Sequence, residues 1–212
     1  LTIHGERGDA VTEAGGEADD AGGVASRRGV DEDDFLDRAG LEPGVLAVDR
    51  LIDLGGELAG LSEDVKKSLD KVLPERWSGA NPVDILGDAD GERYAKACEL
   101  VLGDTANNAV LIMNAPNTLA PPVESAQAVV ATVKKYRAET YSRKPVFAAW
   151  VGDSGASSAV FGEAGIPHFS SEADAVRGFM HIVRYREGLD VAMQTPPSLP
   201  EATRLESAAS NT

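Results

Sequence analysis

Two short apolar runs, AVLIM at 109–113 and VFAAWV at 146–151, constrain the chain more than any other feature. Each is bounded by polar or turn residues and is too short for a helix, which predicts strands buried on both faces. NAVLIMN belongs at the centre of a sheet. NPVDIL at 81–86 and IPHFS at 166–170 are shorter runs of the same kind, and helix-period segments separate all four. Ser62 is placed to cap EDVKKSLDKVLP, whose Val65, Leu69, Val72 and Leu73 form one stripe. A helix from Asp88 or Asp90 to Leu102 carries Tyr94, Ala97, Cys98 and Val101 on one face, with Gly103 as a left-handed stop. The Pro pair at 121–122 opens a helix to about Ala138. SGASSAVFGEAG forms another, stopped by Gly165, and Ser171 with Asp174 starts a last one that runs to Gly188.

Strands alternating with helices at this spacing require parallel pairing with right-handed crossovers. The expected fold is therefore α/β: a three-layer open parallel sheet with helices on both faces. In such sheets ligands meet the carboxyl ends of the strands, so the informative loops follow VDIL, VLIM, VFAAWV and IPHF.

The flanks are less regular. Residues 1–31 mix Gly pairs, Ala and acidic residues without an apolar period and read as loosely attached. A short helix is expected in DEDDFLDRAG, then a strand or turn from Gly44 leading into a helix with Leu51, Ile52, Leu54 and Leu58. We expect three segments: a flexible 1–45, a domain over 46–188, and a Pro-containing tail over 189–212.

Charge and cysteine usage exclude several functions. Thirty-five acidic against 20 basic residues give a formal charge of -15, which disfavours nucleic acid and anionic membrane as partners. The N-terminus carries no signal-like run and no stretch has the length of a membrane span, so a cytoplasmic protein is expected. Cys98 is the single cysteine, which rules out an intramolecular disulfide, and it reads as a small buried hydrophobe. His4, His168 and His181 have no carboxylate or thiol spaced for a triad or metal site. Ser154 lacks the G-x-S-x-G context, and GDSGAS lacks the Lys of a phosphate-binding loop.

Two loops remain as candidate sites. At Gly87, Asp88 and Ala89 a helix opens at a strand end, with Gly87 expected to supply the backbone freedom for the sharp connection. Asp84, Asp88 and Asp90 oppose an anion there unless a cation or an Arg intervenes, and they serve equally as helix caps. From spacing alone the structural role is favoured. The second loop, NAPNTLAPP, carries Asn114, Pro116 and Asn117 directly after the central strand; a rigid connection explains it equally well.

The run LSEDVKKSLDKVLPERWSGANPVDILGDADGERYAKACELVLGD, with AVLIMNAPNTLAPP, KPVFAAWVG, GIPHFSSEADAVRGFMHIVRYREG and MQTPPSLP, resembles a known family over about residues 46–200. It is similar to the second succinyl-CoA-ligase-like flavodoxin domain of NDP-forming acyl-CoA synthetases, including versions fused to an N-acetyltransferase domain. The resemblance implies a flavodoxin-like domain of an enzyme that makes acyl-CoA from an acid, CoA and ATP through an acyl phosphate and a phosphohistidine. It also implies that Gly87, Asp88 and Ala89 form a helix mouth facing that phosphohistidine, with Asn114, Pro116 and Asn117 bordering the pocket. No catalytic residue is carried over. CoA and ATP or ADP with Mg belong to the complete enzyme, none bound by this chain alone, and the implied partners are CoA-binding and ATP-grasp domains. A TNAGGPG-type opening segment, the domain's first strand and an SHTG segment with the phosphorylated His are missing, so inactivity alone is expected. The alternative is a non-catalytic module that senses CoA or acyl-CoA in an acetyltransferase-type fusion.

Overall fold

The computed structural model describes residues 2–4, 43–115, 121–141, 143–152 and 155–193. Five strands form one sheet: β1 (Thr2–His4), β2 (Glu57–Leu58), β3 (Ala109–Asn114), β4 (Val146–Trp150) and β5 (His168–Phe169). Six helices accompany them: α1 (Pro43–Asp53), α2 (Glu63–Val72), α3 (Gly91–Gly103), α4 (Pro122–Glu139), α5 (Ala156–Glu163) and α6 (Glu172–Met193). The helix expected in DEDDFLDRAG lies outside the described residues. The chain divides into two compact units, Leu1–Met180 and His181–Thr212.

Strand order is β2-β1-β3-β4-β5, the flavodoxin-like order. β3, β4 and β5 are parallel, with Val110 opposite Val146, Asn114 opposite Trp150 and Ala148 opposite His168. The expectation of a wholly parallel sheet needs correcting at β1, which runs antiparallel to both neighbours. Thr2 faces Val110 and Ile3 faces both Ala109 and Leu58, so part of the stretch read as loose is paired.

Alternation along β3 and β4 divides the core between two faces. Val110, Ile112, Val146, Ala148 and Trp150 meet Val101 and Leu102 of α3, Val129 and Val133 of α4, and Phe161 of α5. On the opposite face Phe147 packs edge-on against Phe179 of α6, with ring centroids 5.8 Å apart. Helices therefore cover both faces, as expected. α2 adds a smaller cluster of Leu69, Leu73, Trp77 and Ala97, while Val72, expected in its stripe, is exposed.

Local signals formed the expected caps. Ser62 accepts from Val65 N, Asp90 from Arg93 N, and Ser171 from Asp174 N. Three local expectations are corrected. Residues from Pro43 are helical from the outset, without a leading strand. Gly103 is absent from the positive-φ glycines; Asp104 is the C-cap and donates its N–H to Val101 O. α6 continues past Gly188 to Met193. In the second unit its surface exposes Ile182, Tyr185, Leu189, Val191 and Met193.

Candidate functional site

NPVDIL is not a strand. The backbone there is satisfied locally: Asp84 N–H donates to Ser78 Oγ at 3.0 Å, Leu86 N–H to Asp84 Oδ1 at 2.8 Å, and Ala89 N–H to Leu86 O at 3.1 Å. The Asn81–Pro82 peptide is cis. Val83 and Ile85 are apolar because they cover Leu69, Trp77 and Ala97, a burial pattern that mimics a strand in the sequence. The left-handed residue of this loop is Leu86, at φ 69°, and not Gly87. A Cβ at Gly87 would meet nothing within 4 Å, so neither strain nor crowding requires glycine there.

α3 opens immediately afterwards. Gly87 and Asp88 are exposed, whereas the Ala89 side chain is buried, so Ala89 can meet a ligand only through its backbone. Among the described residues the N–H groups of Gly87, Gly91 and Glu92 have no hydrogen-bond acceptor. These are the unpaired donors of a helix start, at the positive end of its dipole. Arg93 supplies the cation that the acidic surroundings call for. Its Nη1 donates to Asp88 Oδ1 at 2.6 Å and to Ile85 O at 3.0 Å. The Arg93 hydrogen bond holds the Asp88 carboxyl below its ordinary range, so Asp88 is both ionised and neutralised at neutral pH.

Asn114 ends β3, 5% exposed. Its Nδ2 donates to Tyr94 Oη at 3.0 Å, and Tyr94 O–H donates to Met113 O at 3.2 Å. Burial raises the Tyr94 hydroxyl above its ordinary pKa, so it remains a donor. Tyr94 thus joins the first turn of α3 to the carboxyl end of β3. Its ring lies 6.0 Å from that of Trp150 at the end of β4, and Trp150 Nε1 donates to Pro122 O at the start of α4. Gly91 completes the arrangement, since a Cβ there would come within 3.2 Å of Ala128 Cβ and 3.3 Å of Glu124 O. Glycine eases this approach, since a Cβ would need Ala128 and Glu124 to give by a few tenths of an ångström.

The sequence therefore located the helix mouth and Asn114, but Pro116 and Asn117 lie outside the described residues. It missed Arg93, Tyr94 and Gly91. The signal available was GERY itself: an Arg three residues after a capping Asp, and an aromatic one position on. The buried Cys98 behaves as expected, with its thiol pushed up to about 12 by burial.

The profile of the Ligase-CoA domain matches residues 36–177. The chain belongs to that family. It is 28% identical to acetate–CoA ligase (ADP-forming) I of Archaeoglobus fulgidus over 162 residues, covering 72% of this chain and 22% of the relative. It is 25% identical to 4-hydroxybutyrate–CoA ligase (ADP-forming) of Nitrosopumilus maritimus, covering 68% and 20%. The alpha subunit of acetate–CoA ligase (ADP-forming) II of Pyrococcus furiosus is 33% identical, with 50% and 23% covered. These relatives are the family that the sequence resemblance names. The chain spans about a fifth of the length of the first two.

Among solved structures, PH0766 from Pyrococcus horikoshii superposes with a TM-score of 0.61 at 26% identity, covering 66% of this chain and 32% of that one. An apo dinucleotide-forming acetyl-coenzyme A synthetase 1 of Candidatus Korarchaeum cryptofilum gives 0.64 at 21% identity, with 72% and 34% covered; this likeness concerns the fold. No described helix is long and apolar enough to cross a membrane.

Proposed function

We propose that this chain supplies one wall of the phosphohistidine pocket in an NDP-forming acyl-CoA synthetase, which converts an acid, CoA and ATP to acyl-CoA, ADP and phosphate. The wall is the start of α3: the backbone of Gly87, Asp88 and Ala89 with the first-turn N–H groups, bordered by Asn114. The carrying observation is Arg93. By pairing with Asp88 it offsets one of the three carboxylates that argued against an anion, beside unsatisfied N–H groups and a helix dipole that face an incoming phosphoryl group. Family membership and the relatives' names support the reaction.

In this proposal the reacting histidine, CoA, and ATP or ADP with Mg come from CoA-binding and ATP-grasp domains on the same or neighbouring chains. The chain alone is inactive. Among the described residues no group of three His, Cys, Asp or Glu side chains is placed to hold a metal ion. This chain's residues orient and stabilise: the helix-start N–H groups meet the phosphoryl oxygens, and Arg93 keeps Asp88 from repelling them. A cytoplasmic location goes with such an enzyme.

Gly87→Glu tests the role cleanly, because the added side chain meets no protein atom at its Cβ. Reconstituted with the two partner domains, the variant is expected to form phosphohistidine at least about tenfold more slowly, a loss of about 1.4 kcal/mol in transition-state stabilisation. An unchanged rate would remove the helix mouth from the pocket.

A further inference from the structure

A cavity of about 620 Å³ lies beside the helix mouth, between the start of α1, the 78–87 loop, α3 and β3. That volume falls within the roughly 300–1,000 Å³ of small-molecule sites. The space is a cleft open to solvent on one side. Consecutive residues Val110, Leu111, Ile112 and Met113 line it, so β3 presents its edge to the space.

The chemistry of the walls selects the occupant. Val83, Ile85, Ala97, Val101 and Ile112 make an aliphatic surface, with the Cys98 thiol among them. That thiol is protonated at physiological pH and adds no charge. Most polar side chains at hand are already engaged, and the open Gly87 N–H belongs to the helix mouth at one end of the lining. Met113 O accepts from Tyr94 O–H, Tyr94 Oη accepts from Asn114 Nδ2, and Ser78 Oγ lies between Pro82 O and Asp84 N. Among the described residues the lining has no Lys, Arg or His, and its ionisable carboxylate, Asp84, repels an anion. A phosphate or free carboxylate is therefore disfavoured here, and an aliphatic group without charge is favoured.

We propose that this cavity binds the aliphatic chain of an acyl thioester. The taste for an uncharged aliphatic group follows from the walls alone, whereas the choice of a thioester rests on the ligase reading above. The cavity would accept acyl groups larger than acetyl and hold them beside α3.

Calorimetry on the full chain tests this with three eight-carbon probes: octan-1-ol, octanoate and the S-octanoyl thioester of N-acetylcysteamine. Saturable binding of the alcohol and the thioester is expected, with octanoate weaker by about tenfold. Ala97→Leu, which fills the space from α3, and Val83→Phe, which fills it from the loop, should each abolish binding while the circular dichroism of the fold is retained. Binding of the alcohol without the thioester would uphold the aliphatic site and overturn the ligase-based choice of ligand. Failure of all three probes would overturn the site while leaving the Gly87 experiment unaffected. Sedimentation showing self-association that Val83→Phe abolishes would identify the cavity as an interface between copies and overturn the proposal as well.

Discussion

Removing one oxygen at Tyr94 tests whether α3 and β3 are held together as described. Tyr94→Phe keeps the ring and its contact with Trp150 but deletes the hydroxyl that donates to Met113 O at 3.2 Å and accepts from Asn114 Nδ2 at 3.0 Å. Each bond contributes roughly 0.5–1.5 kcal/mol net. Asn114 is nearly buried, so its stranded amide adds to the loss. The variant should be less stable by about 2 kcal/mol, a fall of roughly 4–8 °C in Tm for a domain of this size. Urea titration followed by circular dichroism measures it. Tyr141→Phe is the control, because Tyr141 is fully exposed and should change by less than about 0.5 kcal/mol. Tyr94 and Asn114 share a bond, so Asn114→Ala combined with Tyr94→Phe should cost less than the sum, with coupling near about 1 kcal/mol. A Tyr94→Phe loss below about 0.5 kcal/mol, or strict additivity, would refute the network.

Other perturbations follow from the same geometry. The depressed pKa of Asp88 arises chiefly from the Arg93 hydrogen bond, so its stabilisation is present above the ordinary carboxylate pKa of about 3.9 and is lost as pH falls through the lower folded value. Arg93→Met should move the Asp88 carboxyl titration upward in an NMR experiment; no movement would dissociate the pair. It should also cost roughly 1–2 kcal/mol through the lost bond to Ile85 O, measured by urea titration. Gly91→Ala, whose Cβ needs Ala128 and Glu124 to give by a few tenths of an ångström, should be less favourable than Gly103→Ala. Gly103→Ala, with open space around its Cβ and no positive φ, should stabilise by roughly 0.5–1 kcal/mol, and thermal melts of the two distinguish them. Cys98 should resist thiol reagents at pH 8 in the folded chain and react on denaturation; rapid native labelling would contradict its burial.

What the sequence by itself determined was the local and periodic part of this protein. β3 and β4 were legible because strands buried on both faces must be continuously apolar, and the starts of α2, α3 and α6 because a cap lies within three residues of the N–H it accepts. The family was legible for a related reason, since its motifs are contiguous strings. The candidate helix mouth came from that same locality, as did Asn114. The tertiary structure decided everything that joins distant residues. Pairing of Thr2 and Ile3 with β3 spans about half the chain, and nothing within three residues signals its antiparallel direction. NPVDIL looked like a strand because burial against α2 and α3 demands the same residues as burial in a sheet. Gly91 meets its close neighbours on α4, and Tyr94 owes its role to a carbonyl 19 residues away. Propensity acts through neighbours in the chain, whereas packing acts through neighbours in space, and the site at the start of α3 depends on both.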